Sequence, residues 1–259
     1  MDHLAVIGAE SERFASVLAT AAADATCPTC PDWTARDLLW HLTEVHLFWA
    51  AVLATGATTD DDIGRIEAAK PERPSDLAGL LALREEATAK LLDELARLDD
   101  ADPRWSWWPA DQTVGFTRRM QTYEATMHRI DAELTAGGPV GPMLPGVPAG
   151  AVDHCVDVMW GWMPDWPTYE PLTIARFDAT DTGQSWTVEV GHWFGTGPES
   201  GREFDEPRAV RGTGDPSVSV TGPVEQLARW AWSRRGTVDV AGEPDAVAAV
   251  ERLISQGIQ

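Results

Sequence analysis

The chain has 259 residues, 44% hydrophobic and 24% charged, the texture of a globular protein long enough to bury a sizeable core. Its formal net charge of -21 at pH 7 repels phosphate backbones and anionic lipid, and no basic stripe offsets it, so nucleic acid is excluded as a partner class. No uninterrupted apolar run approaches the roughly 18 residues of a bilayer span, so no membrane partner is expected.

The N-terminal stretch MDHLAVIGAESERF carries acids where a secretion signal needs bases, and a cytoplasmic location is expected. Residues 3 to 22 read as an amphipathic helix. Thr34 is placed as an N-cap with Asp37 three residues on; beyond it Leu38, Leu42, Val45, Trp49 and Val52 recur at steps of three and four. The Asp-, Pro- and Glu-rich stretch that follows, Asp60 to Asp62 included, reads as a loop. Ser75 caps a long helix through Leu77, Leu80, Leu81, Leu91, Leu95 and Leu98. A Trp-rich loop, RWSWWP, leads into a helix striped by Met120, Tyr123, Met127, Ile130 and Leu134 and stopped by Gly137 and Gly138. Four such helices predict an antiparallel bundle.

Composition changes at GGPVGPMLPGVPAG, residues 137 to 150, which reads as a linker. It divides a bundle over residues 1–150 from a small α+β domain over 151–259. The second half predicts a short helix near Val152 to Met163, strands in LTIARFDAT, WTVEVGHWF, VSVTG and TVDVAG, and helices from Val224 to Arg234 and Asp245 to Ile254. The expected fold class is multidomain α+β.

The cysteines are Cys27, Cys30 and Cys155, an odd count that argues against a disulfide framework. A redox role for the C-x-x-C pair wants a preceding β-strand, where the sequence reads as the alanine-rich end of a helix, and a zinc-thiolate site wants a second C-x-x-C or a nearby Cys/His pair, which Cys155 alone does not supply. The pair therefore reads as two small residues packed in an interhelical turn. His46 reads as a surface or packing residue. His41 lies beside an apolar stripe, and taken alone is a hydrogen-bonded core histidine. Glu124 and His128 are four apart and stack on one helical face, either as an ordinary side-chain pair or as ligands. Together the three suggest more. Ligands from facing helices converge in a bundle core, and two imidazoles with one carboxylate leave positions open, as a catalytic metal requires. The clusters Trp105, Trp107, Trp108 and Trp160, Trp162, Trp166 read as packing, with an aromatic pocket as the alternative.

The segments TCPDWTARDLLWHL at 29 to 42 and YEATMHRIDA at 123 to 132 resemble the mycothiol-dependent maleylpyruvate isomerase family, part of the DinB-like metal-binding bundle superfamily. The resemblance implies that His41, Glu124 and His128 bind metal and that Cys30 belongs to the turn, leaving Cys27 incidental. It also implies a C-terminal domain shaped like sterol-carrier proteins. The segment VEQLARWAWSRRGTVDVAGEPDAVAAVERL then places the family's substrate-facing arginine at Arg234, with Arg235 the alternative register. The implied activity uses a low-molecular-weight thiol, mycothiol, as a sulfur nucleophile. The metal would be zinc first, with nickel, manganese, cobalt or iron as alternatives, and the outcome S-transfer to, or cis-trans isomerisation of, a small electrophile. Arg234 would anchor a substrate carboxylate. The expected assembly is a monomer or homodimer. Two rival readings remain: an Fe(II) enzyme that activates oxygen on the same residues, and a non-catalytic protein that binds a metal or a small hydrophobic ligand.

Overall fold

The computed structural model describes residues 1–258. The chain divides into two compact units, Met1 to Pro142 and Met143 onward, with the division inside the Gly/Pro stretch.

The first unit is built on four long helices, α1 (His3–Leu18), α2 (Ala35–Thr55), α4 (Leu77–Arg97) and α5 (Val114–Thr135), with a short helix α3 (Asp60–Ala68) between α2 and α4. α1 packs on α5 and α2 packs on α4. Each long helix starts on an oxygen that accepts an otherwise unpaired N–H: Asp2, Thr34, Asp76 and Thr113. Thr34 and Asp37 form a reciprocal capping box. The cap of α4 is Asp76, one residue beyond the expected Ser75, because its carboxylate reaches the N–H of Gly79 at 2.8 Å. α1 stops at Leu18, short of residue 22. The acidic stretch expected as a loop forms α3. Thr59 and Asp62 close a second capping box there, and Asp60, Asp61 and Asp62 sit at the positive end of the helix dipole. α3 buries no residue, so it leaves no apolar period in the sequence. Another unexpected element is the hairpin β1 (Thr26–Cys27) and β2 (Cys30–Thr34), in which Cys27 faces Cys30.

Two apolar clusters fill the bundle. One gathers Phe14, Leu18, Cys27, Cys30, Leu38, Leu42 and Leu80; the other gathers Ile7, Trp49, Leu53, Leu91, Leu95 and Val114. Between them along the helices come polar buried residues: Ser11, His46, Arg84, Thr88, Gln121 and Glu124. α2 is long and apolar enough to cross a membrane by length and composition, a property of its averaged hydropathy rather than of an unbroken apolar run. Here its apolar residues divide between the two clusters.

The second unit carries α6 (Val147–His154), continued by a π-helical turn at Cys155–Met159, and a five-stranded sheet ordered β5-β4-β3-β6-β7. The strands are β3 (Thr168–Ala179), β4 (Ser185–Thr196), β5 (Glu203–Arg211), β6 (Val218–Gly222) and β7 (Asp239–Gly242), and β5 was not foreseen. All neighbours are antiparallel except β3 and β6. α7 (Val224–Ala231) and α8 (Pro244–Ser255) pack on the sheet. Gly191 has room for no side chain: a Cβ there would strike the carbonyl of Glu170 on β3. α7 ends before the expected Arg234, in a turn where Ser233 (φ 61) and Arg235 (φ 56) both adopt the left-handed region.

Candidate metal centre

Three expected residues come together inside the bundle. His41 comes from α2, and Glu124 and His128 from α5, and their candidate ligand atoms all lie within 4.8 Å of one another. Glu124 Oε1 is 3.3 Å from His128 Nε2 and 3.7 Å from His41 Nε2. Tetrahedral zinc with bonds of about 2.0–2.1 Å holds its ligands about 3.3–3.4 Å apart, so the set fits such an ion after small adjustments. His41 Nε2 is buried with no hydrogen-bond partner, as expected of a nitrogen reserved for another electrophile.

The surroundings orient the set. His128 Nδ1 is 2.9 Å from Asp131 Oδ2, and Thr29 donates its hydroxyl to Asp131 Oδ1 at 2.6 Å. Cys27 Sγ lies 3.2 Å from the same Thr29 oxygen, which ties the hairpin to α5. Asp131 and Thr29 were missed as site residues from sequence; the signal was an aspartate three residues after His128, within one helical turn. Trp33 of β2 is a second omission. Its ring centroid is 4.6 Å from that of His41 and 6.5 Å from that of His128, so the Pro-x-Trp turn supplies an aromatic wall.

Electrostatics follow from burial and pairing. Burial pulls the pKa of His128 down, but hydrogen bonds to Asp131 and Glu124 outweigh it and raise the value to about 9 without metal. Burial pushes the Glu124 carboxyl up, and the two imidazoles beside it more than reverse this, holding it well below the usual carboxylate range. His46, expected at the surface or in packing, is a packing residue: it is fully buried, and desolvation lowers its pKa to about 3. Its Nδ1 is 2.9 Å from the hydroxyl of Thr88, which itself donates to the carbonyl of Arg84, so that nitrogen carries the proton. Cys27, expected to be incidental, is buried beside Cys30. Hydrogen bonding with Cys30 is the main cause that brings its thiol down to about 5, against the upward pull of burial.

Residues 4–133, half of the chain, match the mycothiol maleylpyruvate isomerase N-terminal domain family. The chain belongs to that family. Two solved structures of mycothiol-dependent maleylpyruvate isomerase, one of them a histidine-to-alanine mutant, share the fold with TM-scores of 0.60 and 0.59 at 14% and 13% identity. In each comparison 93% of both chains is covered, so the likeness extends over the second unit as well as the family's N-terminal domain. No curated protein matches the chain.

Arg234, the expected substrate-facing arginine, is 3% exposed in the second unit. Its Nη1 donates to the carbonyls of Trp232, at 2.6 Å, and Ile258. Two left-handed residues flank it, a costly backbone arrangement of the kind found where a side chain must be held in one place.

Proposed function

We propose that this chain is a metal-dependent enzyme that uses a low-molecular-weight thiol, mycothiol, as sulfur nucleophile toward a small electrophile, by thiol transfer or cis-trans isomerisation. The convergence of His41, Glu124 and His128, with His41 Nε2 buried and making no hydrogen bond, carries the reading. Family membership supports the thiol and the substrate class.

The chain's own groups define the chemistry. Asp131 holds one proton of His128 on Nδ1, so that Nε2, beside Glu124, is the nitrogen that would face a metal once its own proton is displaced. Glu124 is ionised, so with two neutral imidazoles it leaves a divalent ion one positive charge, which a thiolate neutralises. Such an ion, zinc first among the candidates, supplies Lewis acidity that lowers a thiol's pKa below its free value of about 8.5. Trp33 covers His41 and limits water beside the donor set. Arg234 is assigned to a substrate carboxylate by the resemblance, and its flanking strained backbone supports a positional role.

Elemental analysis of the wild type and of His41→Ala, Glu124→Ala and His128→Ala tests the site, followed by assay of mycothiol with maleylpyruvate. Near-stoichiometric metal, lost in each variant, together with thiol-dependent turnover is the expected result. A wild type that takes up no metal on titration removes the reading, and oxygen-dependent turnover with iron alone replaces it with the oxygen-activating one.

A further inference from the structure

The second unit holds a cavity of about 790 Å³ that the metal chemistry does not use. The volume is that of a small-molecule site. Its walls include Trp162, Trp166, Trp193 and Phe204. Trp193 meets Trp166 at 5.8 Å and 89° and Trp162 at 6.2 Å and 70°, while Trp166 meets Phe204 at 5.6 Å and 61°. These are edge-to-face contacts, in which the electron-poor edge of one ring meets the electron-rich face of another, so the cluster is held by the same attraction of positive charge to ring faces that a cation would use. Trp162 is 47% exposed, whereas Trp160 beside it in sequence is 2% exposed and packs in the core against Phe177. Half of a large indole is therefore kept in water at the cavity, a cost that packing does not explain.

The charged side chains that line the cavity are all acidic, with Arg202 placed outside the lining against the Phe204 ring. Asp165, Glu199 and Glu206 line it, and no Lys, Arg or His does. Among the described residues none of the three carboxylates is in an ion pair. Phe204 shows that a ring here accepts a cation, with Arg202 Cζ 5.2 Å from its centroid. Anions are repelled by such a lining, so the cavity is unsuited to the carboxylate substrates assigned to the metal centre.

We infer that this aromatic, acid-lined cavity binds a small organic cation of the alkylammonium class. Ring faces attract a cation whose charge is spread over methyl groups, and the carboxylates add long-range attraction without demanding a hydrogen-bond donor. The assignment stands on different residues from the metal reading and survives or fails without it.

The test uses the full chain with choline and its uncharged isostere 3,3-dimethylbutan-1-ol, titrated by calorimetry and by saturation-transfer NMR. Choline is expected to bind saturably and the alcohol roughly tenfold more weakly or worse, because shape is shared and only the charge differs. Trp162→Ala and Glu206→Gln should each weaken choline by about fivefold or more with an unchanged far-UV spectrum, Trp162 being exposed. His41→Ala should bind choline as the wild type does. Equal binding of the two probes would make the cavity a merely apolar pocket and overturn the inference. So would the absence of saturable choline binding, or choline binding indifferent to both cavity substitutions.

Discussion

Asp131 Oδ2 stands 2.9 Å from Nδ1 of His128, and both side chains are buried, so the other imidazole nitrogen is turned to Glu124 Oε1 at 3.3 Å. One carboxylate fixes the proton and the other shares the open face. Removing such an orienting partner typically lowers metal affinity about 10- to 100-fold. Asp131→Ala should do so in a competition titration against a chelator, and Asp131→Asn, which can still accept from Nδ1–H, should lose less. Equal affinity in all three proteins would remove Asp131 from the site.

The raised pKa of His128 gives a signed pH prediction for the metal-free protein. Its folded value, about 9, exceeds the ordinary 6.5. Its protonated form therefore contributes stability that is fully present below pH 6.5 and is lost as the pH rises through about 9. The melting temperature of metal-free protein should fall across that window. Metal must displace the same proton, so apparent metal affinity should rise on the order of tenfold per pH unit there. His128→Gln should flatten the melting-temperature profile, and a flat wild-type profile would contradict the assigned protonation.

Thr34 begins the helix that carries His41, and its hydroxyl and backbone are both engaged by Asp37. Thr34→Ala should cost about 1 kcal/mol, read as a melting temperature lower by about 2–4 °C. Thr34→Ser should recover most of it. No loss with alanine would mean that packing alone starts α2.

Arg234→Lys tests the second-unit assignment. Lysine keeps the charge but loses the planar fork. KM for a carboxylate substrate should rise about 10- to 100-fold, the range set by charge-assisted hydrogen bonds, with metal content unchanged. Unchanged KM with a lowered melting temperature would leave Arg234 as a tie to the carbonyls of Trp232 and Ile258.

Local chemistry and period were enough to make much of this protein legible. The cap at Thr34, the stripe from Leu38 to Val52 and the Glu124–His128 spacing are each complete within one or two helical turns, so the long helices and two candidate ligands on one face could be read directly. α3 and the β1–β2 hairpin could not. The first buries nothing, and the second is too short to show an alternation. Tertiary structure alone decided which polar residues meet. It brings His41 from α2 to a pair on α5, Thr29 to Asp131 across 102 residues of sequence, and Trp33 over the imidazoles. It also separates Trp160, a core residue, from Trp162, which is held open at a cavity. The reason is physical: a period names the face a side chain is on, whereas a site is made by two faces closing on each other, and only packing fixes which faces those are.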